Sequence, residues 1–295
     1  MKERIVRAVF AGEKSLLASR TDVLLVGASL QVEARWKPKS GVIFTLALSE
    51  NGEHAAIGMS SSDVIVWSTK SPTSRVVFTE TMTSEEKLMA ALLGEALTPP
   101  AARLAVSNDG ETVAFLREIN SDLTTLTLVG RHEVTREVAC IAPWTRMSME
   151  DDHLVLGPHR YALSDLACAQ TDTEEVFARS DTATLLRSDE GAIHLREGET
   201  LRALGEWEDA AFADHDVVLI RLRAERPARS LEVLIGEETR VLPWDLRDES
   251  DPYGELPAVA DCANLRGVIF EDGESVWVDL RSGARLSVVD PLRRA

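Results

Sequence analysis

The sequence predicts an all-β fold built from repeated antiparallel units within one domain, residues 1–295. Three observations predict it. Most of the chain reads as β segments of four to eight residues, alternating or wholly apolar, bounded by Gly, Asp, Asn, Ser or Pro. A Ser-x-(Asn/Asp)-Gly turn recurs between apolar segments, and Asn-Gly and Asp-Gly supply the positive φ angles that tight hairpins need. Strand groups recur about every 40 residues, a spacing that a β-sandwich does not produce.

In chain order, hairpins divide the sequence into units at about 1–40, 41–82, 101–142, 143–172, 173–205, 206–247 and 258–293. The second unit runs from Val42–Leu48 through Ser49-Glu50-Asn51-Gly52 to Asp63-Val64-Ile65-Val66-Trp67. The third repeats it as Leu104-Ala105-Val106, Ser107-Asn108-Asp109-Gly110 and Thr125–Val129. The middle units keep hairpin periodicity in His153–Gly157 with Tyr161–Leu163, Ala183–Arg187 with Ala192–Arg196, and Val217–Arg223 with Leu231–Ile235. The last carries Glu271-Asp272-Gly273-Glu274 between Gly267–Phe270 and Ser275–Leu280.

Two insertions interrupt the repeat. Residues 83–97 open on a capping box, Thr83 with Glu86, and stop before Pro99-Pro100, so a helix is expected there. Leu88, Met89, Leu92, Leu93, Ala96 and Leu97 fall on one half of its wheel. Residues 248–260, with Pro252, Gly254 and Pro257, read as a loop.

Val276-Trp277-Val278-Asp279-Leu280 with Arg281-Ser282-Gly283, and more weakly Val66-Trp67-Ser68, resemble the WD-repeat and related β-propeller families, whose blades are four-stranded meanders of about 40 residues. The Gly-His dipeptide of many such repeats is missing, and the middle units lose the turn consensus, so the resemblance is to a degenerate member. It implies a β-propeller of four-stranded antiparallel blades, of which the hairpin units count seven, with the one inserted helix of residues 83–97. Acidic stand-alone propellers of this size also resemble the propeller components of bacterial systems that pair a MoxR-type ATPase with a von Willebrand A-domain protein.

Composition bounds the function. Apolar residues make up 44% of the 295, enough to exclude a disordered chain, and a formal charge of −17 opposes a phosphate-tracking nucleic-acid surface. The first ten residues and Leu16–Leu30 are interrupted by charges, so neither a signal peptide nor a membrane span is expected, and a cytoplasmic location is. Cys140, Cys168 and Cys262 form no C-x-x-C pair and are expected as buried thiols. Lysine occurs only at positions 2, 14, 37, 39, 70 and 87; the preponderance of arginine is read as a genome-composition effect.

No G-x-S-x-G, P-loop, G-x-G-x-x-G, H-E-x-x-H or calcium-loop motif occurs, so no catalytic residue, metal ligand or cofactor is assigned. Asp152-His153 and Asp214-His215-Asp216 bring carboxylate and imidazole together in sequence, but strand neighbours point to opposite faces. Acidic clusters such as Glu150-Asp151-Asp152 and Asp248-Glu249 are expected in solvated turns.

The expected function is therefore a non-catalytic scaffold that binds another protein, one with a basic surface, through one face and the inserted helix. The candidate partner-binding residues are Trp36, Trp144, Trp207 and Trp244 near unit junctions, and Leu88, Leu92 and Leu93 on the helix. The tryptophans have an alternative place, wedged between neighbouring blades, and the leucines an alternative role covering the second blade. Trp67 and Trp277, on third strands, are expected as packing residues. The competing functions are a calcium-dependent hydrolase or lactonase, or a small-ligand sensor, working at the central channel.

Overall fold

The computed structural model describes residues 5–289 except 12, 20, 72, 80–100, 120–122, 139–145, 151, 172–174, 181, 189–190, 208, 214–215, 224–229, 243–257, 260–264 and 272–273. Its strands form seven four-stranded antiparallel sheets, each a meander of one contiguous stretch of chain: I (5–36), II (43–78), III (103–138), IV (147–171), V (175–206), VI (209–242) and VII (258–286). No helix occurs among the described residues. The expected helix 83–97 and most of the expected loop 248–260 lie outside them.

The Ser-x-(Asn/Asp)-Gly motif forms its turns for a specific reason. In sheet II, Ser49 Oγ accepts the N–H groups of Glu53 at 3.2 Å and His54 at 2.9 Å, while Asn51 Oδ1 accepts Glu53 N–H at 3.0 Å. In sheet III, Ser107 Oγ accepts Thr112 N–H at 3.0 Å and Asp109 Oδ1 accepts Glu111 N–H at 2.9 Å. The serine and the Asx side chain satisfy backbone donors that the turn leaves without strand partners. Gly52 at φ +66° and Gly110 at φ +72° then close the turns in the left-handed region.

The first strands of sheets I to IV lie side by side in order, as do those of sheets V to VII, and apolar residues of one sheet pack on the next within each run. Leu16, Trp36, Ile43, Ile57 and Trp67 bridge sheets I and II, and Val66, Leu104, Val113 and Phe115 bridge II and III. Leu116, Leu126, Leu154 and Leu156 join III to IV, Leu185, Ile193, Trp207 and Leu219 join V to VI, and Ile220, Val233, Val278 and Leu280 join VI to VII. Leu17, Val26, Val32 and Trp277 join VII back to I, closing the ring. Trp67 and Trp277 are buried packing residues on third strands.

Among the described residues the seam shows no strand exchange: Ile5–Ala11 pairs within its own sheet, and the chain beyond sheet VII runs parallel to sheet I through a Gln31–Val289 bridge. Val32 N–H donates to the Val289 carbonyl at 2.9 Å, and Val289 N–H donates to the Leu30 carbonyl at 2.8 Å.

Arginine has a structural use here that composition did not suggest. Guanidinium groups cross between neighbouring sheets to backbone carbonyls: Arg75 to Gly110 at 2.7 Å, Arg117 to Ser62 at 3.0 Å, Arg136 to Leu166 at 2.6 Å, Arg187 to Trp207 at 3.2 Å, and Arg240 to Arg281. Arg75, Arg136 and Arg240 all stand on fourth strands, so the outer edge of one sheet is tied to the next at equivalent places. A planar fork of donors reaches such carbonyls with little rearrangement.

Candidate functional site

The meander separates two faces. Turns between first and second and between third and fourth strands lie on one, the turn face; second-to-third turns and the connections between sheets lie on the other, the connection face.

On the turn face, sheets II and III are laced together. Asn51 N–H donates to Asn108 Oδ1, and Asn51 Nδ2 and His54 Nδ1 both donate to the Asn108 carbonyl, each at 3.0 Å. The His54 ring lies against Gly110, where a Cβ would fall 2.4 Å from Cδ2. Lys14 repeats the arrangement one sheet earlier, lying on Gly52 and donating to its carbonyl at 3.3 Å. A polar recess of about 170 Å³ lies beside this lacing, lined by His54, Ser68, Thr73, Arg75, Asp109 and Glu111 among others. Hydrogen bonds from Ser107 and the Glu111 N–H hold the Asp109 carboxyl below its ordinary value, and Lys70 does the same for Glu53. The polar groups of this recess largely engage one another, as an inter-sheet joint does.

The connection face differs in exposing apolar side chains. The inner strand Ile43–Leu48 slips register against His54–Met59 between Ile43 and Thr45, leaving Phe44 as the extra residue of a bulge. Ile43 and Thr45 are buried, whereas Phe44 is 40% exposed, re-aimed by the bulge. Val42 just before it and Ile119, after the second strand of sheet III, are also exposed on this face. The same slip recurs at the start of the inner strands of sheets I and V, between Ile5 and Arg7 and between Val176 and Ala178. The bulged residues were not legible in the sequence, because an extra residue in an apolar strand leaves no mark in its alternation.

Of the sequence-predicted residues, Trp36 is 8% exposed in the cluster between sheets I and II, and Trp207 is 6% exposed between sheets V and VI. Trp207 Nε1 donates to the Leu204 carbonyl at 2.9 Å, and the Arg221 guanidinium stacks 4.6 Å from its ring centroid. Both indoles therefore occupy the inter-sheet position given above as the alternative to a partner anchor. Trp144, Trp244, Leu88, Leu92 and Leu93 lie outside the described residues, as do Cys140, Cys262 and His215. Cys168 is exposed, which corrects the expectation of a buried thiol at that position; it opens a fourth strand, the outer edge of its sheet.

Among the described residues there is no group of three or more His, Cys, Asp or Glu side chains placed to hold a metal ion, and no helix long and apolar enough to cross a membrane.

A ring of four-stranded meanders joined face to face by apolar clusters is a β-propeller, and the WD-repeat-like kind is the one its motifs resemble. No family model matches the chain, and no curated protein matches it in sequence. Among solved structures it is similar to the β-propeller domain of Cps50 (Swd1) from Myceliophteria thermophila, with a TM-score of 0.55 and 11% identity over 94% of this chain and 96% of that one. At that identity the likeness is one of fold.

Proposed function

We propose that this propeller is a non-catalytic protein-interaction scaffold that binds its partner on the connection face. The supporting observation is Phe44, turned out of its inner strand by a bulge and exposed beside Val42, with Ile119 on the next sheet. A large apolar ring held out by a rigid strand costs little conformational entropy to dock, and aromatic anchors dominate binding energy at such surfaces. In this reading, the helix expected at 83–97, with Leu88, Leu92 and Leu93, and the junction residues Trp144 and Trp244 extend the same surface, while the buried Trp36 and Trp207 support it from below. The net charge of −17 favours a partner with a basic surface and gives the complex a salt-sensitive association rate. The resemblance to the propeller components of bacterial assemblies makes a MoxR-type ATPase and a von Willebrand A-domain protein the first partners to test, in the cytoplasm.

The test is a tagged pull-down from host lysate at low and high salt, with Phe44→Ser and Glu111→Gln run beside the wild type. The expected result is a stoichiometric partner that is lost with Phe44→Ser and kept with Glu111→Gln, which lies on the turn face. Equal capture by all three proteins, or no stoichiometric partner, overturns the reading.

A further inference from the structure

Sheet IV has two unlike flanks. Leu154, Leu156 and Tyr161 turn one flank to sheet III, with Met147 and Met149 packed beside them. By alternation and register, the flank turned to sheet V carries the cross-strand row Ser148, Val155 and Arg160, with His153 and Ala162 beside it. Sheet V is divided the same way. Leu185, Ile193 and Leu195 face sheet VI. The row Val176, Leu186 and His194, with Thr184 and Arg196, faces sheet IV.

The joint of IV with V is therefore made of largely polar flanks. Val155 and Leu186 are buried, at 8% and 2% exposure, yet they belong to none of the apolar clusters that join the other sheets. The Arg160 guanidinium turns back to Glu150 of its own sheet at 3.2 Å. Across the joint, the Arg146 N–H donates to Glu175 Oε1 at 2.7 Å. Trp36 and Trp207 fill the joints of I with II and of V with VI, whereas the chain that passes from sheet IV to sheet V reads Asp172-Thr173-Glu174. Apolar burial holds a joint roughly in proportion to its area, while Ser, Thr, His and Arg regain water when a joint opens. The terminal seam is better held, by Leu17, Val26, Val32 and Trp277 and by both backbone bonds of Val289.

We propose that the ring has a built-in opening between sheets IV and V, which part reversibly at these polar flanks while the covalent chain keeps them tethered. The arcs of sheets I–IV and V–VII, still joined through the terminal seam, then move against each other. The moving joint is an internal one and not the place where the chain ends meet. It uses none of Phe44, Val42 or Ile119 and does not rest on the scaffold reading.

Cysteine labelling of the native full chain tests it, because neighbouring residues on one strand report on opposite joints. Leu186 faces sheet IV and Leu185 faces sheet VI, and the two are 2% and 0% exposed. With excess thiol reagent and labelled sites identified by mass spectrometry, Leu186→Cys should react about tenfold faster than Leu185→Cys, and faster than Leu17→Cys at the terminal seam. Val155→Cys against Leu154→Cys repeats the comparison from sheet IV and keeps the test open if a sheet V variant folds poorly. Glu175→Ala leaves the Arg146 N–H without this acceptor, so it should speed labelling of Leu186→Cys about fivefold over Glu175→Gln, which keeps an acceptor oxygen there. Unfolding of whole sheets would label both faces of a strand alike. Equal rates on the two faces of both strands, or faster reaction at Leu17→Cys than at Leu186→Cys, overturns the proposal.

Discussion

Gly110→Ala probes the inter-sheet joint of the turn face directly. Gly198 is the reference: it also has a left-handed backbone, φ +58°, but a Cβ there would meet nothing within 4 Å. Gly198→Ala should therefore cost only the left-handed strain, about 1 kcal/mol. At Gly110, φ +72°, the same strain applies, and the new Cβ would stand 2.4 Å from His54 Cδ2 and 2.7 Å from Cγ. No heavy-atom contact survives at that distance, so the imidazole must leave and give up its bond to the Asn108 carbonyl. That carbonyl keeps Asn51 Nδ2, so it is not orphaned, and the lost bond adds about 1 kcal/mol. With the displaced ring's packing, the total comes to about 2–3 kcal/mol. In a His54→Ala background the three atoms nearest that Cβ are gone, and the cost of Gly110→Ala should fall back toward about 1 kcal/mol; the difference of about 1–2 kcal/mol is a coupling energy of the size expected for residues in contact. Equilibrium urea unfolding followed by tryptophan fluorescence measures all of these differences. A cost for Gly110→Ala no greater than for Gly198→Ala, or no coupling to His54, would refute the joint as described.

Removing residues 287–295 deletes both backbone bonds of Val289 to sheet I; hydrogen exchange should then speed at Val32 while Ile57, in the middle of sheet II, keeps its protection. Phe78 and Phe115 touch at a tilt with centroids 4.8 Å apart, and the Arg117 guanidinium lies against both, 4.6 and 4.8 Å from their centroids, and donates to the Ser62 carbonyl at 3.0 Å. Arg117→Met should cost about 2 kcal/mol by denaturant titration, with Arg117→Lys recovering only part, because a compact ammonium cannot cover both ring faces and reach the Ser62 carbonyl as a planar fork does. Glu175 and Asp109 should show opposite pH behaviour in unfolding titrations. The Glu175 carboxyl is raised on folding, so its contribution to stability is full below the ordinary Glu value of 4.5 and is lost as pH rises through the folded value; Glu175→Gln should gain on the wild type between pH 4 and 7. The Asp109 carboxyl is lowered, so its contribution is present above 3.8 and is lost as pH falls through the folded value; Asp109→Asn should be destabilising at pH 7 and neutral in acid.

The repeat was legible because its turns are written in residue types with only one local use. Ser49 with Asn51-Gly52 and Ser107 with Asp109-Gly110 close turns by bonds within five residues, so short-range pattern captured them. The unit limits read from hairpins at 41–82, 101–142, 173–205 and 206–247 bracket or nearly bracket sheets II, III, V and VI. What escaped the sequence is set by residues far apart in the chain. The carbonyl accepting from Arg117 lies 55 residues away at Ser62, so an arginine tying two sheets looks like any other arginine. Trp36 and Trp207 sit where the sequence placed them, near unit junctions, but whether a junction indole faces solvent or a neighbouring sheet depends on that sheet. Phe44 was indistinguishable from its strand neighbours, since a slip of register is a property of the pair of strands and not of either sequence.

Because every sheet is a contiguous stretch, synthesis completes them one after another, and each new sheet covers the flank of the one before. Sheet I alone waits for the far end of the chain. Its flank of Leu17, Val26, Leu30 and Val32 is covered by Trp277, and about 240 residues separate Trp36 at the end of that sheet from Trp277. At ribosomal rates of about 5–20 residues per second, the first sheet stands with a bare apolar side for about 10–50 s, several times longer than any flank that its immediate successor covers. The nascent chain is therefore most vulnerable at its beginning, and whatever shelters it there must let go only when the last sheet arrives.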